Sequence, residues 1–363
     1  KTFAEQKNNN WHLTGEKWFC SNPDADLAMV LARPKENPSG TKGLSLFLLP
    51  KILQNGSPNN HEIIRLKDKL GGKSFASGEI KLKKAFAYLI GDPNQGFKQM
   101  TDMINMSRLS NGVRASGIMQ RSIQESLYIA QNRSAFEKKL IDIPLMQKQI
   151  LKMLLLTESS RSMVFKTAKI LEKADNGKKE FVKLFRVLTP LIKFRACRDA
   201  RKVSGDAMEI RGGCGYIEEW SDARMLRDSH LGSIWEGTSN IVSLDAIRAL
   251  KKEDNIFVLK NYLLKIISKT DDNDDVIFFK KITEEVFDFI SIEITNNDNF
   301  NSRQVASALY YLCASIFLNA ESSFCASLTY RNKISKLLIQ HKLMKRNPIK
   351  SDDLDKSIIF SLI

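Results

Sequence analysis

The residues best suited to chemistry lie in Ser233-Ile234-Trp235-Glu236-Gly237-Thr238-Ser239-Asn240-Ile241. Glu236 is a carboxylate placed just before a glycine turn and a helix start. Thr238 or Ser239 could cap that helix, leaving N–H groups to face a phosphate or a carbonyl. Ile234 and Trp235 flank the carboxylate, and desolvation by them would raise its pKa and suit it to act as a base. An ordinary helix-entry glutamate fits the same residues, and on the segment alone that plainer reading prevails. A second turn, Gly212-Gly213-Cys214-Gly215, would let backbone approach a ligand closely. Gly72-Lys73-Ser74 imitates the end of a Walker A loop, but Lys67 stands where that loop needs its first glycine, which excludes an ATP site.

Other chemistries are excluded by what is missing. The five cysteines (Cys20, Cys197, Cys214, Cys313 and Cys325) are widely spaced and form no C-x-x-C. Only four histidines occur, with no H-E-x-x-H, so neither a metal site nor a disulfide framework is expected. Free thiols fit a reducing compartment, and a cytoplasmic location is expected. No apolar run reaches the ~18 residues of a membrane-spanning helix. The opening Lys1-Thr2-Phe3 has the form of neither an initiator methionine nor a signal peptide, and reads as the middle of a longer product. A net charge of +15 favours polyanionic neighbours such as nucleic acid, CoA phosphates or anionic lipid, and fits equally a lysine-rich solvated surface.

The elements that must position these residues fall into two kinds. Trp11–Cys20, Leu27–Ala32, Leu44–Leu49, Ile63–Leu66 and Gly78–Leu89 predict strands, broken by Pro38-Ser39-Gly40, Asn55-Gly56-Ser57-Pro58 and Gly91-Asp92-Pro93. Their spacing suggests a small antiparallel barrel or sandwich. From Gly96 the period becomes helical. Helices are expected over Met103–Asn132, from Pro144 to about Ala174, from about Lys179 to Ile210 with a kink at Pro190, after Thr238, and over Arg303–Leu328. This α+β order, and the lack of a G-x-G-x-x-G after a strand, disfavours a Rossmann cofactor site.

Several segments, in this order, are similar to one family. Gly15-Glu16-Lys17-Trp18-Phe19-Cys20-Ser21-Asn22 resembles its flavin-facing strand. Lys69-Leu70-Gly71 through Gln95-Gly96-Phe97 looks like the end of its β-domain. Arg133-Ser134-Ala135-Phe136 resembles its Arg-x-x-Phe-Gly-Lys signature, with Glu137 in place of the glycine. Glu209-Ile210-Arg211-Gly212-Gly213-Cys214-Gly215-Tyr216 resembles its Gln-x-x-Gly-Gly-x-Gly-Tyr turn, with Glu209 in place of Gln. Trp235-Glu236-Gly237-Thr238 matches its Tyr/Trp-Glu-Gly-Thr/Ser motif. The family is the acyl-CoA dehydrogenase superfamily. Trp18-Phe19-x-Ser21, Pro144-Leu145-Met146, Ile234-Trp235-Glu236 and a helical tail beyond 250 point to its AidB-like branch.

The resemblance implies FAD as cofactor and an acyl-CoA as substrate, with Glu236 removing the α-proton and its N–H polarising the thioester carbonyl. Phe19 and Ser21 would lie at the isoalloxazine, Arg133 at the pyrophosphate, Thr238 and Asn240 near the flavin. Glu209, Gly212 and Gly213 would meet the FAD of a neighbouring subunit, which implies a homotetramer. Arg108 would stand near the pantetheine channel. Electrons would leave to an acceptor flavoprotein. The implied organisation is a middle β-domain over 1–95, incomplete at its N-terminus, a four-helix bundle over 96–252, and a helical extension over 253–363. The family's N-terminal helical domain is expected to precede Lys1. A second function follows from the branch: a flavin-containing protein of the alkylation response that binds double-stranded DNA, its dehydrogenase activity weak or vestigial. Arg331, Lys333, Lys336, Lys342, Lys345 and Arg346 would then contact phosphates, although a solvated basic helix accounts for the same residues.

Overall fold

Asn8 and Asn9 adopt left-handed φ angles of 48° and 62° and reverse the chain in two residues. Asparagine tolerates that region, so the turn joins two twisted strands at little cost. In this computed structural model, which describes residues 2–360 apart from 253, 271, 297, 325, 346–348 and 350–356, the turn links β1 (Thr2–Lys7) to β2 (Asn10–Ser21). The chain divides into two units, Lys1–Asn105 and Met106–Ile363.

The first unit is a closed barrel. β3 (Leu27–Pro34), β4 (Ser45–Pro50), β5 (His61–Leu66) and β6 (Ser77–Ile90) complete a sheet in the order β2-β1-β3-β4-β6-β5, and β6 also pairs with β2. β6 thus serves three neighbours. It does so with a bulge: Leu13 faces Ala85 and Thr14 faces Lys83, leaving Lys84 unpaired at φ 56°. All pairings are antiparallel except β1 with β3, which is parallel through Phe3↔Arg33 and Ala4↔Pro34. Alternate residues fill the inside: Leu13, Ala32, Phe47, Ile80, Leu82, Ala85 and Ala87 are buried. Trp11 packs edge-on to Phe47 at 5.3 Å. β1 went unread in the sequence because its buried positions, Thr2 and Ala4, are too small to give an apolar alternation.

The second unit is helical. α1 (Gly96–Asn132) enters it and a hairpin of β7 (Ser134–Ala135) and β8 (Lys138–Lys139) follows. Next come α2 (Pro144–Asp175), α3 (Lys179–Arg211), α4 (Ser221–Leu231) and α5 (Ser239–Lys251). α6 (Asn255–Ile267), α7 (Asn273–Asn296), α8 (Ser302–Glu321) and α9 (Tyr330–Lys342) follow. α3 continues as helix through Pro190. α8 ends at Glu321, short of the expected Leu328. α4 was not expected, since Ser-Asp-Ala-Arg-Met-Leu-Arg-Asp has little apolar periodicity.

One continuous apolar core serves α1–α3 and α5–α9. Gly112 brings α1 against α3: a Cβ there would lie 2.1 Å from Ile192 Cγ2. Polar ties join the later helices to the earlier ones. Tyr311 on α8 donates to Asp199 on α3 at 2.9 Å, and Arg195 donates to the same carboxylate at 2.5 Å. Arg331 on α9 pairs with Glu158 on α2 at 2.7 Å and with Glu321 at the end of α8.

Candidate active site

Glu236 stands in the turn between α4 and α5 with φ 54°, and Gly237 follows at φ 102°. Two consecutive left-handed residues turn the chain sharply, and only the second is a glycine, so Glu236 carries the strain. α1 holds the carboxylate. Ser107 donates to Oε1 at 2.5 Å, and Asn111 donates to Oε2 at 3.1 Å. Asn111 is fixed in turn: its Oδ1 accepts from the Trp235 indole at 2.5 Å, and its amide also reaches Ser107 O at 2.9 Å. Ser107 and Asn111 sit one helical turn apart, so one face of α1 presents both donors.

Lys193, on α3, supports the turn from below. It is 1% exposed and donates to the Gly237 carbonyl. Burial pushes its ammonium down to about 8, with Cys197 and Glu236 opposing the shift and Arg108 adding to it. The same burial pushes the Cys197 thiol up to about 11.

Arg108, expected beside a substrate channel, is 8% exposed and paired with Asp245 on α5. Arg186 holds the other Asp245 oxygen at 2.8 Å. Burial opposes the Asp245 charge, but the hydrogen bonds and charges of Arg186 and Arg108 outweigh it and keep the carboxyl below its ordinary value. The Arg108 guanidinium is thus spent on joining α1 to α5.

The desolvation expected from Ile234 and Trp235 does not occur. Glu236 is exposed, Ile234 is 58% exposed, and Trp235 turns its ring toward Asn111 and to within 5.3 Å of the Arg114 guanidinium. The sharp turn sends neighbouring side chains apart, which adjacency in sequence cannot reveal. Thr238 occupies the N-cap position of α5 without a side-chain hydrogen bond, and Ser239 accepts from Arg198 at 3.4 Å. Asn240 is exposed, and its carbonyl accepts from Ser243 at 2.9 Å. The Glu236 N–H has no hydrogen-bond partner among the described residues.

A separate hollow of about 450 Å³ is lined by Tyr128, Ile129, Asn132, Arg133, Arg211, Gly213, Cys214 and Trp220. Arg133 donates to Arg211 O at 2.8 Å. Gly212 ends α3 at φ 74°, and a Cβ there would lie 2.9 Å from Arg133 Nη1; at Gly213 a Cβ would meet open space. Glu209 is exposed and accepts from Gln149 at 3.3 Å. Glu137 sits at φ 61° in the β7–β8 turn, a conformation that suits glycine better.

On the barrel, Phe19 is 75% exposed, Trp18 is 61% exposed, and Ser21 is exposed. The β2–β6 register shifts between Lys17 and Cys20, which breaks strict alternation and leaves both rings outward. Lys67 lies 3.2 Å from the Trp18 ring centroid.

The basic tail divides. Arg331, read as a phosphate contact, is 6% exposed and committed to Glu158 and Glu321. Lys336 pairs with Asp275 at 2.5 Å, Lys333 reaches Ser357 at 3.3 Å, and Lys342 lies 5.4 Å from the Tyr311 ring. Lys345 lines a cavity between α7, α8 and the end of α9. Arg346 and Lys350 lie outside the described residues. A basic sequence reads as a solvated face until its buried acidic partners, Glu158 and Asp275, are seen.

Ser107, Asn111 and Lys193 were not read from the sequence as site residues. Lys193 left one signal, a lone cation inside Leu188–Phe194. Ser107 and Asn111 left none, because their partner is more than a hundred residues away.

Among the described residues, no group of three or more His, Cys, Asp or Glu could hold a metal ion, and no helix is long and apolar enough to cross a membrane. The model for the acyl-CoA dehydrogenase middle domain matches residues 1–85, and that for the C-terminal domain matches residues 94–251. The chain is 34% identical to acyl-CoA dehydrogenase family member 11 of Caenorhabditis elegans, over 71% of the chain and 43% of that protein. It is 34% identical to the putative acyl-CoA dehydrogenase AidB of Escherichia coli, over 71% of the chain and 46% of that protein. The chain therefore spans less than half the length of these relatives. Among solved structures, C. elegans ACDH-11 in complex with C11-CoA superposes with a TM-score of 0.86 at 26% identity, covering 99% of this chain and 63% of that one. A Bacillus anthracis acyl-CoA dehydrogenase complexed with FAD gives 0.79 at 18% identity, over 94% and 63%.

Proposed function

The chain belongs to the acyl-CoA dehydrogenase family, whose middle and C-terminal domains it carries, and from that premise we propose that it oxidises an acyl-CoA thioester with Glu236 as base. FAD is the family's cofactor. The observation that carries this reading is the carboxylate of Glu236, held by Ser107 and Asn111 in a strained turn whose own N–H is free.

Each part has a physical task. Ser107 and Asn111 fix the carboxylate before substrate arrives, so little ordering remains for the reaction itself. Glu236 takes the α-proton. The free Glu236 N–H donates to the thioester carbonyl as charge develops on its oxygen. Lys193 pins the Gly237 carbonyl and so keeps that N–H facing outward.

The residues present fit the cofactor. The hollow beside Arg133 offers a guanidinium for phosphate oxygens, and Gly213 leaves room for close approach. We assign Arg133 to its pyrophosphate, and Glu209, Gly212 and Gly213 to the FAD of a neighbouring subunit. Within the barrel we assign the exposed Phe19 and Ser21 to its ring, and within the helical unit we assign Thr238 and Asn240 to it, each as the resemblance implies. The chemistry that FAD would supply there is that of an acceptor for the hydride leaving the β-carbon. An electron-accepting flavoprotein would then reoxidise it.

The test is anaerobic mixing of the flavin-loaded protein with a series of acyl-CoAs. Bleaching of flavin absorbance is expected, and Glu236→Gln should slow it by at least ~10²-fold, the usual contribution of a positioned base. Bleaching at an unchanged rate in Glu236→Gln would overturn the assignment.

A further inference from the structure

The ends of α2, α6 and α8 and the starts of α3 and α9 border a cavity of about 810 Å³, within the range of small-molecule sites. Five lysines line it: Lys166, Lys173, Lys178, Lys265 and Lys269. None of them has an ion-pair partner among the described residues. Among the described residues three acids share the lining, and two are already committed. Asp272 accepts the N–H groups of Asp274 and Asp275 at 2.8 and 3.3 Å. Asp275 is paired with Lys336 at 2.5 Å. Of these described acids Glu180 remains, at the exposed start of α3.

Lysines gather at helix C-termini to offset the helix dipole, and that explains Lys173 and Lys265. It does not explain Lys178, which stands at the positive end of α3, nor Lys166, which lies more than two turns before the end of α2. Lys166 is also half-buried. Burial first, and then the like charges of Lys169, Lys173 and Lys269, push its ammonium down against the pull of Glu321. A group so crowded gains from a bound anion.

The remaining wall is aromatic and polar. Phe181 and Tyr262 meet edge to face at 6.0 Å, and Phe324 is 71% exposed. Asn319, 5% exposed, reaches Thr270 at 3.3 Å and accepts from Asn332 at 2.7 Å.

We propose that this cavity binds a small organic phosphate of nucleotide type, the lysines taking the phosphates and the aromatic wall the flat ring. The site is separate from the Arg133 hollow and shares no residue with it. It does not depend on the role given to Glu236.

The experiment is titration calorimetry of the flavin-loaded full chain with ADP and with inorganic pyrophosphate, at low and high salt. ADP should bind, more weakly as salt rises. Lys166→Gln/Lys269→Gln should weaken it by about tenfold or more, while Arg133→Gln changes it by less than about twofold. Circular dichroism and an unchanged rate of flavin bleaching by acyl-CoA would show the double variant folded. Absence of ADP binding at low salt overturns the proposal, as does equal weakening by Arg133→Gln. Pyrophosphate binding as tightly as ADP removes the aromatic wall's part and overturns the nucleotide class. A short DNA duplex that binds through these lysines while ADP does not would make the cavity part of a nucleic-acid surface, and the proposal would fail.

Discussion

Asn111 is the residue on which the geometry of Glu236 turns. It holds one carboxylate oxygen and accepts from Trp235, so its loss leaves Glu236 held by Ser107 alone and removes the indole's acceptor. Asn111→Ala should slow flavin bleaching by ~10–100-fold with little change in acyl-CoA affinity, as expected when a reacting group loses its fixed position. Stopped-flow bleaching across substrate concentrations separates the two effects. Lys193 makes a different prediction. Its folded pKa, about 8, lies below the ordinary 10.5. Between those values the unfolded chain holds a proton that the folded chain has shed, so this group's contribution to stability rises with pH across that window. The stability of the wild type relative to Lys193→Met should therefore increase from pH 7 to pH 9.5. Urea unfolding at the two values measures it, and a flat or falling difference would contradict the burial argument.

At the scale of elements, close approach and buried charge decide the packing. α1 meets α3 at Gly112, where a methyl group would intrude on Ile192. Gly112→Ala should destabilise the helical unit by ~1–3 kcal/mol through overpacking. α9 is held by Arg331, and Arg331→Ala would leave one oxygen of the buried Glu158 unpaired, with Arg161 alone on the other. A loss of ~3–5 kcal/mol is expected for breaking one side of a buried pair, against ~0.5 kcal/mol or less for the exposed Lys345→Ala. Thermal unfolding of the two variants side by side checks the contrast.

For the whole molecule, the +15 charge is not spread as a uniform solvated coat. Of the 56 lysines and arginines, Arg331, Arg195 and Arg108 are paired with acids inside, while five lysines gather around the cavity between α2, α6 and α8. On the assignment proposed for Arg133, cofactor binding at its hollow would stabilise the fold by mass action. Arg133→Ala should lower the flavin retained per protein after gel filtration, with an affinity loss of about tenfold or more for one charge-assisted phosphate contact. Full retention would remove Arg133 from the cofactor site.

The sequence by itself determined the kind and order of the elements. Periodicity fixes which face of a strand or helix is apolar, and turn residues fix where each must stop. Five of the six barrel strands and the long helices α1, α2 and α3 were legible in this way, whereas the Trp235-Glu236-Gly237-Thr238 motif was legible only through its resemblance to a family pattern. Tertiary structure alone decided what each charge does. Ser107 and Asn111 are ordinary helix residues until a turn far along the chain brings Glu236 to them. Arg108 and Arg331 read as exposed cations until Asp245 and Glu158 are found beside them. Such pairings depend on the distance between side chains after folding, and spacing along the sequence does not encode it.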